Sequence, residues 1–291
     1  MTQRNWITAA VLTCGLTAAL AATATPASAM DQKCEPDKLA MKYPSLVGKK
    51  IKIAQDGESP PFSFRDPKDF NHIVGLDTEL AEAVFACAGI PIEIVTGEWS
   101  GLLPSVIAGQ ADVMWDILYY TPERVKKVDF VTYLTAATGA LVAKGNPKNI
   151  HSIDAVCGMR ATAGLATVEE AAFRDIAAKC IAAGKPAVSI VTYPNIPGGT
   201  RLIQNDRADV LMSGLTLVNQ LIANNPKSFE LAYKIVTDYK IAAAVTKGNK
   251  ELEQAIYDGL NVMIANGTYK RIVEKYGLDL SLARTPEILT E

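Results

Sequence analysis

The chain of 291 residues has little histidine, little tryptophan and no excess of charge of either sign. It contains two histidines and three tryptophans, and 29 basic residues nearly balance 31 acidic ones, for a formal net charge of −2. A near-neutral chain without a basic tract offers no electrostatic surface for nucleic acid. His72 and His151 lie far apart, and no Cys-x-x-Cys motif occurs. The sequence therefore predicts no nucleic-acid partner, no metal site and no cofactor.

Long apolar runs are confined to the beginning of the chain. Arg4 precedes an apolar stretch from Trp6 to about Ala24, and Ala27-Ser28-Ala29 fits a small-x-small cleavage site. This order is typical of a secretory signal peptide, so we expect residues 1–29 to be removed and the protein to be periplasmic. The alternative is an uncleaved membrane anchor. Cleavage leaves 262 residues (291 minus 29), enough for two lobes.

Four cysteines remain after this cleavage, and an even number in an exported chain favours disulfide bonds. Cys157 and Cys180 bracket a predicted strand, turn and helix, and we expect them to pair. In the chain-entropy model, closing a loop of this size contributes about 3 kcal/mol. Cys34 and Cys87 then pair by elimination; the alternative is buried free thiols.

Strand-like and helix-like segments alternate, which predicts an α/β protein with parallel sheets. Asp77 is predicted as the N-cap of a helix. Strands are predicted at 50–54, 90–95, 111–115, 138–143, 187–193, 208–212 and 241–246. The chain leaves a first lobe near residue 140 and returns near 245. We therefore predict a leader at 30–48, lobe 1 at 49–140 and 245–291, and lobe 2 at 141–244.

One short pattern occurs twice. Residues 107–113 and 203–210 each end a helix, pass a tight turn and open a strand with Ala-Asp-Val. Two lobes of similar build would explain the repetition, although helix–turn–strand units are common enough for it to arise by chance.

Residues 115–130 carry a single arginine just after a turn that follows an apolar strand. Thr121-Pro122 predicts a helix start, with threonine at the N-cap and proline at the first helical position. Arg124 would then lie in the first turn, where the helix dipole does not favour a cation. A guanidinium binds a carboxylate through two parallel charge-assisted hydrogen bonds, so Arg124 is a candidate anion-binding residue. The alternative is a surface arginine paired with Glu123 or Asp129.

Five segments together resemble the polar amino-acid family of periplasmic solute-binding proteins of ABC importers, bacterial extracellular solute-binding protein family 3. The segments are 51–64 (IKIAQDGESPPFSF), 74–83 (VGLDTELAEA), 99–112 (WSGLLPSVIAGQAD), 121–130 (TPERVKKVDF), and 266–270 (NGTYK) with 275–277 (KYG). The resemblance implies a type II periplasmic-binding-protein fold: two α/β lobes, each a mostly parallel sheet flanked by helices, joined by two crossing segments. It implies a monomer whose lobes close over a small polar carboxylate, either an amino acid or a derivative. It also implies that the protein binds the membrane subunits of the importer.

The resemblance also implies ligand-binding residues in the first lobe. Arg124 matches the arginine that binds the ligand carboxylate. Phe62 and Trp99 match positions of the pocket wall, where aromatic rings cover the apolar part of a ligand or stack on a cation; ordinary core packing is the alternative. Asp56 and Ser59 share a turn that is either part of the site or simply solvated.

The span before Arg124 departs from the family, which commonly has small hydroxyl residues there. Here Asp116, Tyr119 and Tyr120 occupy it. We include Asp116 and Tyr119 in the predicted site. Asp116 would bind a ligand ammonium or support the site from behind; the alternative is that it pairs with Arg124 and weakens carboxylate recognition.

The second lobe departs further. Residues 164–167 (GLAT) stand where the family has a Gly-Thr-Thr loop, so Gly164 and Thr167 are predicted ligand contacts. The family's amine-binding aspartate falls near Ser213-Gly214, where no carboxylate is present; Ser213 is the predicted contact there. Losing a buried charge partner costs several kcal/mol. Either Asp116 replaces the missing acid, or the ligand is not an ordinary α-amino acid.

Two other functions occur on this fold: a cyclohexadienyl dehydratase-like periplasmic enzyme and a ligand-sensing subunit. An enzyme needs a positioned acid or base in the cleft. Asp116 or Glu58 would be the candidate, but no nucleophile–base pair or metal motif accompanies them. We therefore predict a binding protein without catalytic residues.

Overall fold

The computed structural model describes Met1 and residues 33–291, apart from the side chains of residues 237 and 238. The predicted signal peptide, its cleavage site and the first residues of the leader lie outside the described residues. In the part of the chain that the structure describes, no helix has the length and apolar character needed to cross a membrane.

The described residues form twelve strands and eight α-helices. The strands are β1 (Ile51–Gln55), β2 (Glu58–Ser59), β3 (Ser63–Arg65), β4 (Ile73–Val74), β5 (Ile92–Thr96), β6 (Val113–Met114), β7 (Val128–Ala143), β8 (Arg160–Gly164), β9 (Ser189–Tyr193), β10 (Val210–Gly214), β11 (Phe229–Thr246) and β12 (Ile288–Leu289). The helices are α1 (Leu39–Lys42), α2 (Leu76–Cys87), α3 (Trp99–Ile107), α4 (Val168–Ala182), α5 (Ile196–Gln204), α6 (Leu215–Asn224), α7 (Lys250–Ala265) and α8 (Thr268–Lys275).

Two long strands connect two groups of parallel strands. The order in the main sheet is β5-β1-β6-β11-β7-β10-β8-β9, with β12 paired to β7. Strands β5, β1 and β6 are parallel, as are β10, β8 and β9, whereas β7 and β11 are antiparallel to each other. These two groups are the cores of two α/β lobes, and β7 and β11 are the crossing segments that the resemblance implied. The residue boundaries proposed for the lobes stay a prediction.

The repeated Ala-Asp-Val pattern has the same structural role in both lobes. The backbone N–H of Lys52, in β1, donates to Asp112 Oδ2 at 2.8 Å, just before β6 begins. The backbone N–H of Arg160, at the start of β8, donates to Asp209 Oδ2 at 2.8 Å, just before β10 begins. In each case an aspartate satisfies a backbone donor that the neighbouring strand leaves unpaired. The repetition therefore reflects two lobes of similar build.

The second helix begins one residue before the predicted N-cap. Gly75 is the N-cap, at φ 139°, and Asp77 lies in the first turn with its side chain fully buried. Tyr133 Oη donates to Asp77 Oδ1 at 2.7 Å, and the backbone N–H of Ile117 donates to Oδ2 at 2.8 Å. The prediction of Asp77 as N-cap is thus wrong: its carboxylate joins α2 to β7 and to the loop after β6 instead of capping the helix.

Both predicted cysteine pairs lie at disulfide distance. The S–S distance is 2.01 Å for Cys157–Cys180 and 2.16 Å for Cys34–Cys87. The first bond fastens the chain before β8 to α4, and the second fastens the segment before α1 to the end of α2.

Candidate functional site

A cavity lies where the carboxyl ends of both groups of parallel strands meet. Residues that follow or end β1, β5 and β6 line it from one lobe, and residues that follow or end β8, β9 and β10 line it from the other. Parallel α/β sheets bind ligands at this edge, because loops there are free to carry functional groups. The cavity encloses about 850 Å³, including the part open to solvent.

Nine of the ten predicted ligand-binding residues line this one cavity. They are Asp56, Ser59, Phe62, Trp99, Tyr119, Arg124, Gly164, Thr167 and Ser213. Residues up to 157 positions apart in sequence (213 minus 56) are thus brought together, and their roles toward a ligand stay predictions. Asp116 is the tenth, and it is fully buried behind this wall.

The turn after β1 is built around Asp56. Its Oδ1 accepts from the backbone N–H of Glu58 at 2.9 Å, and its Oδ2 accepts from Ser59 Oγ at 2.5 Å. Burial raises the pKa of Asp56 to about 6, against the hydrogen bonds from Ser59 and Glu58, which lower it. This turn is therefore an ordered part of the cavity wall, and the interpretation as a solvated turn is wrong.

Asp116 supports that turn from the protein interior. Its Oδ2 accepts from the backbone N–H of Asp56 at 2.8 Å. Burial, followed by the charges of Asp56 and Asp77, raises the pKa of Asp116 well above the usual range of a carboxyl group. This position gives Asp116 no cavity surface, so any influence on a ligand would act through Asp56; that role stays a prediction.

Arg124 joins the two sides of the cavity. Its Nη1 donates to the carbonyl of Tyr119 at 2.8 Å, and its Nη2 donates to the carbonyl of Ala166, in the loop after β8, at 2.9 Å. Asp116 is not among its partners, so the alternative that Asp116 neutralises Arg124 is wrong. Burial lowers the pKa of the guanidinium, and the nearby Glu169 raises it, so Arg124 remains a cation that faces the cavity.

The local backbone at Arg124 differs from the predicted helix. Residues 122–127 form hydrogen-bonded turns rather than a helix, and β7 begins at Val128. The hydroxyl of Thr121 still accepts from the backbone N–H of Arg124 at 3.1 Å, as an N-cap would. The helical pattern ends after one turn because residue 128 enters the main sheet.

Aromatic rings form part of the cavity wall. The Cζ atom of Arg124 lies 5.7 Å from the ring centroid of Trp99, within cation–π range. Trp99 Nε1 donates to the carbonyl of Asp116 at 3.3 Å. Tyr119 stacks on Tyr239 of β11, with ring centroids 5.3 Å apart. These contacts hold the rings in place, which favours recognition of a flat or aliphatic group.

In the loop after β8, the Thr167 hydroxyl bonds to the backbone of the loop and of α4. Thr167 Oγ1 donates to the carbonyl of Gly164 at 2.8 Å and accepts from the backbone N–H of Glu170 at 3.2 Å, as the N-cap of α4. Glu170 Oε2 in turn accepts from the backbone N–H of Ala166 at 2.6 Å. The loop is therefore pre-formed.

Glu169 and Tyr193 are polar cavity residues outside the set predicted from the sequence. Glu169 lies in the first turn of α4, where an acid is expected for its effect on the helix dipole and is usually solvated. Here it is buried, with 5% of its surface exposed. Its place two residues after the predicted loop contact Thr167 was the available signal. Within Met1 and residues 33–291, no group of three or more potential ligand side chains is arranged to hold a metal ion.

Comparison with known proteins agrees with this architecture. Residues 51–279 match the model of the bacterial extracellular solute-binding proteins, family 3. The L-cystine-binding protein TcyJ of Escherichia coli (strain K12) is 26% identical over 79% of this chain and 83% of its own length. An ancestral arginine-binding protein bound to glutamine is 26% identical with a TM-score of 0.72, covering 79% of this chain and 98% of that one.

A second solved structure bears on the choice between binding and catalysis. The ancestral amino acid-binding protein AncCDT-1, a precursor of cyclohexadienyl dehydratase, is 26% identical with a TM-score of 0.69, covering 82% of this chain and 99% of that one. Like the other two, it is described as a binding protein. The match over residues 51–279 and the two lobes joined by two crossing strands lead to one conclusion: the chain belongs to the bacterial extracellular solute-binding proteins, family 3.

Proposed function

We propose that this protein binds a small carboxylate, an amino acid or a close derivative, between its lobes and delivers it to an ABC importer. The observation that carries the proposal is the guanidinium of Arg124 in the cavity wall. Two of its five N–H donors bond to main-chain carbonyls, so three are left for a ligand. A carboxylate that accepts from these donors would be charge-paired and shielded by Trp99.

The bond from Arg124 to the carbonyl of Ala166 also suggests how binding is coupled to closure. Arg124 follows β6 in one lobe, whereas Ala166 follows β8 in the other. A ligand that contacts both lobes favours the closed arrangement by the difference between its affinities for the closed and open states. We propose lobe 1 at 49–140 and 245–291 and lobe 2 at 141–244, with X-ray scattering with and without ligand as the test.

Arg124→Ala is the direct test of the site. We expect at least about a 100-fold loss of affinity, because charge-assisted bidentate hydrogen bonds are among the strongest polar contacts. Isothermal titration with the amino acids that score in a thermal-shift screen measures it. Arg271→Ala, an exposed arginine outside the cavity, is the matched control and should bind like the unaltered protein. Equal affinity of both variants would remove Arg124 from the site.

We propose that the protein binds its ligand without converting it, unlike an enzyme of the same fold. The ligand that co-purifies with the protein should be recovered chemically unchanged after incubation, as mass spectrometry and proton NMR can show. Conversion of arogenate or prephenate would instead favour the dehydratase alternative. A gene for a permease beside the coding gene would favour import over a role as a sensing subunit.

We propose in addition that the protein works in the periplasm as a monomer after removal of residues 1–29. The family assignment and the sequence features of residues 1–29 support this location. The mass of the protein recovered from a periplasmic extract tests the cleavage after Ala29, and light scattering coupled to gel filtration tests the monomer.

A further inference from the structure

The carboxylate of Glu169 lies near Ser213 and Gly214 of β10, where the family has an aspartate and this chain has none. Thr138 Oγ1 donates to Glu169 Oε1 at 3.2 Å. Thr138 lies on β7 and is the register partner of Gly214 on β10. The carboxylate of Glu169, although it starts from α4, therefore reaches the pair of strands that carries Ser213 and Gly214.

Tyr119 leaves no room for a side chain at residue 214 of β10. A Cβ atom added to Gly214 would lie 2.9 Å from the hydroxyl oxygen of Tyr119. Tyr119 is 5% exposed and stacks on Tyr239, so its ring has little freedom to move aside. An aspartate at residue 214 would collide with this phenol. An acid at residue 214 would therefore require Tyr119 to move, whereas α4 supplies an acid from another element.

The charge of Glu169 has no cation in contact with it. Among the described residues Glu169 forms no ion pair; the hydroxyl of Thr138 and the backbone N–H of Glu169 itself donate to its carboxylate. Burial raises the pKa of Glu169, whereas the positive charge of Arg124 lowers it without direct contact. Arg124 and Glu169 thus line one cavity without forming an ion pair with each other. Burying a carboxylate that contacts no cation is costly, and a ligand cation would offset that cost.

We propose that Glu169 binds the ammonium group of the ligand, in place of the aspartate that the family carries near Ser213-Gly214, and that the ligand is an α-amino acid with a free ammonium group. The inference rests on the proposed function, because Arg124 must hold the carboxylate of the same ligand. It replaces both expectations drawn from the sequence: Asp116 need not supply the acid, and the ligand need not be unusual.

The experiment pairs each of three amino acids, L-arginine, L-glutamine and L-cystine, with its analogue in which hydrogen replaces the ammonium group. Titration calorimetry on the unaltered protein, Glu169→Gln and Glu253→Gln gives the affinities. Glu253 is a buried glutamate that does not line the cavity, so its variant is the matched control. For the amino acid that binds best, we expect Glu169→Gln to lose about 10- to 100-fold, the effect of one hydrogen bond to a charged group. The affinity of the deaminated analogue should change less than about twofold.

The outcomes separate this inference from the proposed function. The inference is overturned if Glu169→Gln binds the amino acid as tightly as Glu253→Gln does. It is also overturned if Glu169→Gln loses the same affinity for the amino acid and for its deaminated analogue. Preference of the unaltered protein for the deaminated analogue also overturns it, and that comparison needs no variant to fold. In all three cases the proposed function survives if Arg124→Ala still loses binding. If Arg124→Ala binds normally, the proposed function fails with it.

Discussion

The buried acids beneath the cavity predict that the ligand-free protein becomes less stable as the pH rises from mildly acidic to mildly alkaline. Burial raises the pKa of Asp77 to about 7 and that of Asp56 to about 6, compared with about 3.9 in an unfolded chain. The folded state therefore keeps protons that the unfolded state has released, so deprotonation favours unfolding. The stability due to these protons is fully present below about pH 4 and is lost as the pH passes the folded pKa values.

The magnitude follows from the two shifts. Between about pH 5 and about pH 8, proton linkage gives a loss of about 3 kcal/mol for Asp77 and about 1 kcal/mol for Asp56. Burial also raises the pKa of Asp116, which contributes in the same direction. Carboxylates whose pKa is lowered, such as Asp129 and Asp209, titrate below this window and do not oppose the trend.

Urea unfolding at the two pH values, followed by tryptophan fluorescence, measures the difference. Bound ligand must first be removed by dialysis in denaturant with the disulfides intact, because ligand adds its own stabilisation. Asp77→Asn keeps the size of the side chain and can still accept from the backbone of Ile117. It should remove about 3 kcal/mol of the pH dependence. Asp37→Asn, at an exposed site, is the control. Equal stability at both pH values, or unchanged pH dependence in Asp77→Asn, would refute the reasoning.

Two further predictions concern the backbone and the disulfide bonds. Gly75→Ala should destabilise the protein by more than about 3 kcal/mol in urea, because a Cβ at φ 139° would lie 2.1 Å from the carbonyl oxygen of Phe62. Gly101→Ala, where a Cβ meets nothing within 4 Å, should be neutral or stabilising by up to about 1 kcal/mol; similar losses in both variants would contradict the contact. Replacing Cys157 and Cys180 with alanine, which opens a loop of sequence separation 23, should cost about 3 kcal/mol. A loss below about 1 kcal/mol in the same assay would argue against this bond as a major constraint.

Local sequence patterns were sufficient to predict a helix or strand where one face of it packs against the core. The alternation in residues 50–54 predicted a strand, and β1 runs from Ile51 to Gln55. The apolar runs at 138–143 and 241–246 were recognised as well, but they are only the ends of β7 and β11, which contain 16 and 18 residues. The rest of these strands carries polar residues such as Thr132 and Thr135, whose pattern alone does not indicate a strand. Pairing between the two long strands holds that backbone extended.

The sequence by itself determined the family, the two-lobed fold and nine residues of the cavity wall. It did so because the arginine segment, the turn after β1 and the loop after β8 are short motifs whose chemistry is local. Only the tertiary structure decided which of the acids line the cavity. Asp116 looked well placed because it is close to Arg124 in sequence, yet its side chain is buried behind Asp56. Glu169 looked like an ordinary acid of a first helical turn, yet it is buried, accepts a hydrogen bond from Thr138 of β7 and lines the cavity. Side-chain direction at a site between two lobes depends on contacts between residues far apart in the chain, and no local pattern encodes them.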